Sequence, residues 1–298
     1  MSPLPELNKQ SPIAILAAGR LGSSLAIALT NAGYNVAAVT SRRADHRKWL
    51  AGQLPDSVIV DNLQTASNIA NIVFTTGPDA AVEEICNQVE WRSHQAVVHC
   101  AGVLSVSALH SASDSGAAIA GFHPLQTFPR NESHDRLSNV SFATEASNRD
   151  LYKWLEALAT DLGGSTFPIE PSQRAAYHAS GVMACGMVAG WIGVAAEMWQ
   201  VLGINREEAL KRLIPLMRAT IDALDESGLP NAMTGPFVRG DVDTIAAHHT
   251  AAQSKSKETG TAYAALALAS LHIAKEQGGL SDSAFQRIQS LLSNENQT

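Results

Sequence analysis

Cysteine is scarce in this sequence, and its three cysteines lie far apart. Cys86, Cys100 and Cys185 are odd in number and widely spaced, which argues against a disulfide framework and a metal-binding cysteine pair. Such cysteine usage is typical of a reducing compartment. The first residues also lack an apolar run behind a basic start, so we expect no signal peptide and a cytoplasmic location.

Clusters of one charge sign are also missing. Charged residues make up 16% of the 298 residues, and the net charge of −7 is spread along the chain. Nucleic-acid binding would require clustered lysine and arginine, so we expect no such partner. Hydrophobic residues account for 45% of the sequence, which suits a soluble globular protein with a large core, and the length allows two domains.

Charge is absent altogether from residues 175–196, AAYHASGVMACGMVAGWIGVAA. A run of 22 residues without Asp, Glu, Lys or Arg could span a bilayer. It nevertheless contains Tyr177, His178 and four glycines, and the chain has no second segment of this kind. Because a helix that is apolar on all sides can also form the buried centre of a large domain, we expect no membrane insertion.

Short apolar runs alternate with helical patterns in the first half of the chain, which predicts a parallel sheet with crossover helices. After Pro168 the pattern is helical only. We therefore expect an α/β, Rossmann-type doubly wound sheet in residues 1–166 and an all-helical domain in residues 167–298. The candidate strands are residues 13–16, 35–40, 72–76, 96–100, 117–123, 140–144 and 165–169, and the later helices are 171–202, 206–226, 240–251, 257–276 and 281–294.

The first strand leads into a glycine-rich loop that lacks one glycine. Ala17 stands where the dinucleotide fingerprint G-x-G-x-x-G has its first glycine, and it can serve there if its φ stays negative. Gly19 matches the glycine that lets the backbone approach a pyrophosphate, and Gly22 the one that allows close helix–strand packing. We expect Gly19, Arg20, Leu21 and Gly22 to bind a dinucleotide, the alternative being a turn without a ligand.

The second strand ends without the acid that an NAD site requires. In VTSRRADHRK, Ser41, Arg42 and Arg43 occupy that place. A hydroxyl and two guanidinium groups suit a 2′-phosphate, which favours NADP over an ordinary solvated basic turn. Two further loops should border the cofactor because they follow strands of the same sheet: Thr76 with Gly77, and Ala101 with Gly102 near the nicotinamide.

Three phrases resemble a known family: GFHPLQTFP (121–129), YHASGVMACG (177–186) and MTGPFVRGD (233–241). They are similar to Rossmann-like proteins that carry the helical domain of unknown function 2520, within the 6-phosphogluconate-dehydrogenase-like and pyrroline-carboxylate-reductase-like oxidoreductases. The resemblance covers about residues 12–290. It implies NADP binding, a helical second domain used for dimer formation and an active cleft between the domains, and it does not specify a substrate.

Hydride transfer needs a group that gives or takes a proton beside the nicotinamide. His123 ends a predicted strand, and His178 lies on the long helix that passes the nicotinamide in related dehydrogenases. Both are candidate catalytic residues, and either could be the proton donor. Each also has a structural interpretation, His123 as a turn residue and His178 as a core histidine.

Two more residues are candidates for substrate binding. Gln126 could orient a substrate oxygen, and Arg239 could anchor a substrate carboxylate, with Asp241 beside it as a helix cap. His248 and His249 are adjacent and face different ways on a helix, so we expect no metal site.

The sequence thus favours an NADP-dependent oxidoreductase acting on a small carbonyl, hydroxy or imine compound held between the domains. The alternative is a non-catalytic NADP-binding sensor or scaffold protein. The close spacing of Gly186 and Gly190, together with the apolar helices around Trp191 and Trp199, also predicts a homodimer formed through the C-terminal domain.

Overall fold

A computed structural model describes residues 7–129 and 136–293. Within these residues an eight-stranded sheet forms in the order β3-β2-β1-β4-β5-β6-β7-β8. The strands are β1 (Ile13–Leu16), β2 (Val36–Thr40), β3 (Val58–Val60), β4 (Ile72–Thr75), β5 (Ala96–His99), β6 (Ala118–Pro124), β7 (Ser141–Ala146) and β8 (Ser165–Pro168).

The first six strands run parallel, and β7 pairs antiparallel with β6. Strand β1 is fully buried, with Ile13 and Ile15 packed in one apolar cluster and Ala14 and Leu16 in another. Because successive strand residues point to opposite faces, both faces of the sheet are covered. The carboxyl ends of β1, β4, β5 and β6 therefore meet along one edge of the sheet.

Helices connect the strands and form the rest of the chain. In residues 186–298 the apolar core lies between three of them and includes Ile245, Leu271 and Ile288. The helices are α1 (Arg20–Asn31), α2 (Ala44–Gln53), α3 (Leu63–Ile69), α4 (Val82–Asn87), α5 (His110–Asp114), α6 (Arg149–Asp161), α7 (Arg174–Val182), α8 (Val188–Glu197), α9 (Arg206–Ser227), α10 (Pro236–Arg239), α11 (Val242–Lys255), α12 (Lys257–Glu276) and α13 (Asp282–Ser293).

The expected fold class is confirmed: a mainly parallel sheet with helices, followed by a helical region. All seven candidate strands are present, and the sequence missed β3. This strand has three residues, none of them fully buried, at the outer edge of the sheet, so it lacks the apolar run that marks the others.

Two compact units are present, Met1–Cys185 and Gly186–Thr298. The change from sheet to helix comes before the division between these units, at β8. The sequence predicted a domain boundary after Thr166, within that strand. The division into domains at that residue stays a prediction.

The charge-free segment is helical, as expected. Helical residues run from Pro171 to Leu202 and end at Gly203, whose φ of +73° suits glycine. A π-helical turn, Met183–Met187, lies between α7 and α8. By length and composition this helix could cross a membrane, which for one such helix is weak evidence. Only 6% of its most apolar window is buried, so the expectation of a buried centre is wrong for the single chain.

Candidate functional site

The turn after β1 places Ala17 in the left-handed region, at φ +54°. The expectation of a negative φ is therefore wrong. The turn has the shape that a first glycine would serve, and alanine adopts it at a steric cost of about 1–2 kcal/mol. Hydrogen bonds to the end of β2 hold it: Ala17 N donates to Thr40 Oγ1 at 2.8 Å, and Ala18 N donates to Thr40 O at 2.7 Å.

Gly19 and Gly22 have the surroundings that the fingerprint predicts. A Cβ atom on Gly19 would meet nothing within 4 Å, so the backbone there is open to a ligand. A Cβ atom on Gly22 would collide with the Thr76 side chain, which packs between α1 and β4. No side chain caps the start of α1, so the loop presents uncapped helix amides of the kind that bind phosphate groups.

A cavity of about 970 Å³ lies above this loop. Gly19, Arg20, Ser41, Arg42 and Arg43 line it, which brings together five of the predicted cofactor residues. Its lining further includes His46, Asp61, Leu63, Glu84 and Gln88, which sequence reasoning did not select.

The two arginines at the end of β2 differ in their surroundings. Arg43 forms an exposed ion pair with Asp45. Arg42 is exposed, and among the residues that the structure describes its guanidinium has no hydrogen-bond or ion-pair partner. The acid missing from β2 is not replaced by Asp61, because Asp61 lies after β3 and pairs with Arg47 at 3.3 Å. The rim is thus suited to an anion.

The remaining predicted cofactor residues lie beside the cavity instead of lining it. Thr76 is buried, and its Oγ1 donates to Leu16 O at 3.0 Å. A Cβ atom on Gly77 would come within 2.6 Å of Ile85 Cδ1, so Gly77 serves close packing. Leu21 is the second residue of α1, and Ala101 with Gly102 follows β5, next to the histidines described below.

Helix α7 carries three polar side chains on one face. Arg174 is three and four residues before Tyr177 and His178, a spacing that aligns side chains on a helix. His123 near the end of β6 meets this face: its Nδ1 lies 2.6 Å from Tyr177 Oη, and its ring centroid is 5.9 Å from that of His178. The two histidines chosen from the sequence are therefore neighbours, and Tyr177 joins them.

Two glycines make room for this cluster. A Cβ atom on Gly102 would lie 2.5 Å from His178 Cδ2 and 2.9 Å from His123 Nε2. A Cβ atom on Gly121, in β6, would lie 2.6 Å from Arg174 Nη2. Neither position accepts a side chain without displacing the groups around it.

Arg174 is buried, with 1% of its side chain exposed, beneath the histidines. Its Nε donates to Glu145 Oε2 at 2.9 Å, and its Nη2 lies 2.8 Å from the same oxygen. This second approach is an ion pair without hydrogen-bond geometry, since Nη2 has no hydrogen-bond partner. Nη1 donates to Gly102 O at 3.4 Å, a long bond. Sequence reasoning missed both residues, although the helical spacing from Arg174 to His178 was available as a signal.

Burial shifts the pKa values of three side chains in and around this cluster toward their neutral forms. It lowers the pKa of His123 to about 4, with smaller contributions from the nearby His178 and Arg174. It lowers the pKa of His99, at the end of β5, to about 3, assisted by Arg174. It raises the pKa of Tyr177 to about 12. Near neutral pH the His123 imidazole is uncharged and the Tyr177 phenol keeps its proton.

The two candidate substrate residues lie elsewhere. Gln126 is exposed, and its Oε1 accepts from Thr127 N at 2.8 Å. Arg239, in the second compact unit, pairs with Asp241 at 2.8 Å, and Asp241 holds the cap position of α11 without a side-chain capping bond. Their substrate roles stay predictions, as do the roles of the histidines. Residues 7–129 and 136–293 contain no group of three His, Cys, Asp or Glu side chains that could hold a metal.

These surroundings fit a dinucleotide. The open backbone at Gly19 and the uncapped start of α1 suit a pyrophosphate, and unpaired Arg42 suits a further phosphate. The cavity and the histidine cluster belong to the same edge of the sheet, because β1, β4, β5 and β6 are parallel neighbours.

Comparison with known protein families identifies both parts of the chain. Residues 7–124 match the Rossmann-like domain, and residues 140–270 match the domain of unknown function DUF2520. The expected resemblance to Rossmann-like proteins that carry the helical domain of unknown function 2520 is confirmed. No curated protein matches the sequence.

Solved structures share the fold at low sequence identity. A protein from Bacteroides fragilis provisionally assigned as an NADP oxidoreductase has a TM-score of 0.72 and 23% identity, covering 89% of this chain and 98% of its own. The pyrroline-5-carboxylate reductase of Streptococcus pyogenes has a TM-score of 0.62 and 16% identity, covering 86% and 99%. An imine reductase from Pseudomonas sp. has a TM-score of 0.61 and 20% identity, covering 94% and 99%.

Proposed function

We propose that this chain, which carries a Rossmann-like domain followed by a DUF2520 domain, is an NADP-dependent oxidoreductase. It transfers a hydride between the nicotinamide and a small carbonyl, hydroxy or imine compound. The observation that carries the proposal is the cluster of His123, Tyr177 and His178 around Gly102, at the sheet edge that also bears the dinucleotide-type cavity. A purely nucleotide-binding protein has no need of polar side chains at this second place.

The cofactor would be held by the residues of the cavity. Gly19 and the start of α1 would receive the pyrophosphate, and Ser41, Arg42 and Arg43 the 2′-phosphate. When bound, the cofactor supplies or accepts a hydride, and the protein's own side chains handle the proton. The names of similar solved structures include NADP and imine reductases, which supports this choice at the level of the fold.

The histidine cluster gives the proton a defined place. Tyr177 Oη and His123 Nδ1 are joined by a hydrogen bond, and burial keeps the phenol protonated. In the proposed reactive tautomer His123 carries its proton on Nε2, and its Nδ1 accepts from the Tyr177 hydroxyl. That Nε2–H lies next to Gly102, where no side chain intervenes. His178, beside it, exchanges a proton with the reacting oxygen or nitrogen, and His123 orients the substrate or shares the relay.

The test is turnover of a small panel. The purified protein is mixed with NADPH and with cyclic imines, small ketones, and small ketones plus an amine, and the absorbance of NADPH is followed. We expect at least one imine or carbonyl compound to oxidise NADPH, and His178→Gln to suppress that reaction. Tight NADPH binding without turnover of any panel member would favour the sensor or scaffold interpretation.

We also propose that two copies associate through the helical region. Large apolar side chains are exposed there, among them Met187 at 61%, Val201 at 86% and Leu216 at 64%. Cβ atoms on Gly186 and Gly190 would meet nothing within 4 Å, which leaves room for a second helix. An exposed apolar surface of this kind is typical of a protein–protein contact.

Light scattering at micromolar concentration tests the assembly. We expect a dimer, and we expect Gly190→Leu to weaken it. Gly52→Leu, which also adds a side chain in open space but on α2, should leave the mass unchanged. A monomeric parent protein would contradict the proposal.

A further inference from the structure

His46 links two elements that border the cavity, the end of β2 and the first turns of α1. Its Nδ1 lies 2.9 Å from Ser41 Oγ, at the end of β2, and its Nε2 lies 3.1 Å from Ser23 Oγ, in the first turns of α1. Its ring stacks on that of Trp49, with centroids 5.5 Å apart and planes inclined by 12°. His46 therefore has a fixed ring orientation beside the predicted 2′-phosphate position.

The direction of each hydrogen bond among Ser23, His46 and Ser41 follows from the bond that Ser23 makes to the backbone. Ser23 Oγ donates its only proton to Gly19 O, at 2.7 Å, because a carbonyl oxygen cannot donate. Ser23 Oγ must then accept from His46, so Nε2 of His46 carries a proton. In neutral His46 the other nitrogen, Nδ1, is an acceptor, and it takes the hydroxyl proton of Ser41.

Protonation of His46 reverses the last of these bonds. Nδ1–H then donates to Ser41 Oγ, and the Ser41 hydroxyl proton is released toward the cavity. A phosphate monoester accepts hydrogen bonds but, as a dianion, donates none. Neutral His46 thus leaves Ser41 with no proton for a phosphate, whereas charged His46 provides both a donor and a nearby positive charge.

We propose that His46 is a specificity-determining residue that couples the choice of NADPH over NADH to the uptake of a proton. This inference rests on the proposed function, because it requires the 2′-phosphate to bind at Ser41. NADPH binding draws a proton onto His46, so the preference for NADPH strengthens as the pH falls. NADH, which has no 2′-phosphate, binds without this proton.

Other charged groups near His46 do not replace it in this role. On its own helix Asp45 pairs with Arg43, and Arg47 pairs with Asp61, while Lys48 is exposed. From neighbouring elements Arg20, Arg42 and Glu84 line the same cavity. Carboxylates and arginines keep their charge across the neutral range, so these groups do not supply a proton exchange of their own there.

The 2′-phosphate itself changes charge near pH 6, but its effect has the opposite sign. Arginine side chains favour the dianion, so a phosphate that binds beside them releases any proton it carries. Proton uptake on binding therefore distinguishes His46 from the ligand.

Calorimetry of the full chain with NADPH and with NADH tests the proposal. Titrations at about pH 6.5 and about pH 8.5, in two buffers of different ionisation enthalpy, count the protons exchanged on binding. We expect uptake for NADPH and none for NADH, and an NADPH preference about tenfold stronger at the lower pH, the worth of one charged hydrogen bond.

Three variants separate the possible outcomes. His46→Gln should abolish proton uptake and flatten the pH dependence, and Ser41→Ala should flatten it too, with the thermal unfolding midpoint of each variant as the check on folding. His272→Gln, an exposed histidine on α12, should change nothing. If His46→Gln took up as many protons on binding NADPH as the parent protein does, with the same pH dependence, the role of His46 would be overturned while NADP binding stood. Equal affinities of NADPH and NADH at both pH values would instead overturn the proposed cofactor.

Discussion

Two regions along one edge of the sheet differ in charge and in exposure to solvent. After β1 and β2 the edge is open and charged, with arginine side chains exposed around a large cavity. After β5 and β6 it is closed, with His123 held neutral by burial and Arg174 neutralised by Glu145. The first arrangement suits recognition of an anion, because exposed guanidinium groups keep their charge. The second suits the handling of a proton, because a neutral imidazole can accept a proton on one ring nitrogen and donate from the other.

Loss of His178 should separate the two places most clearly. General acid–base groups contribute about 10²–10⁴-fold, or roughly 3–5 kcal/mol of barrier. His178→Gln should therefore slow turnover by about that factor and leave NADPH affinity nearly unchanged, since the cavity lies after other strands. His248→Gln, on α11, is the control and should have almost no effect. An unchanged turnover number of His178→Gln from about pH 6 to about pH 9 would make His178 a packing residue.

Substitutions at the rim of the cavity should have the converse effect, on NADPH binding. Replacing Arg42 and Arg43 together by alanine should weaken NADPH binding by about 2–4 kcal/mol, taking charged hydrogen bonds at roughly 1.5–3 kcal/mol each with some redundancy. NADH binding should change little, because it has no phosphate to lose. Lys48→Ala, an exposed cation on α2 outside the cavity lining, is the matched control. Calorimetry that gives the parent protein equal affinity for both cofactors would remove the distinction.

Lowering the pH should reduce the free energy of unfolding, because His123 is buried in its neutral form. Its pKa is lowered from 6.5 to about 4 in the folded chain, so the unfolded chain binds a proton first as the pH falls. The stability that neutral His123 contributes is fully present above pH 6.5 and is lost as the pH falls toward 4, by about 3 kcal/mol. His123→Gln should reduce that loss in urea titrations across the same range. An identical pH dependence in the variant would mean that His123 is not buried as a neutral base.

Ala17 offers the smallest test, in the loop before α1. Ala17→Gly relieves left-handed strain of about 1–2 kcal/mol but gives the unfolded chain more freedom, worth about 0.4–1 kcal/mol. We expect a net gain in the free energy of unfolding of up to about 1.5 kcal/mol. Ala18→Gly, next to it without a positive φ, should lose stability instead. A loss at both positions would contradict the strain at Ala17.

The sequence specified the framework better than the site. Buried strands such as β1 and β4 are continuous apolar runs, and Gly22 follows β1 at a spacing that only close packing explains, so these features could be predicted. Arg174 and Glu145 could not be paired in advance, because β7 and α7 approach each other only in the folded chain. His46 was equally hidden, since one of its two hydrogen bonds joins it to Ser23, 23 residues earlier in the chain.

The glycine at position 102 sets a limit on engineering this protein for new substrates. Libraries that widen a pocket usually vary every residue near the reacting atoms, but any side chain at Gly102 would first push His123 and His178 apart. Val103, one residue further along, is 42% exposed, and Leu125 is 43% exposed. Substitutions meant to change the surroundings of the histidine cluster are best begun at those two positions, which adjoin Gly102 and the end of β6 in the chain, with residue 102 left unvaried.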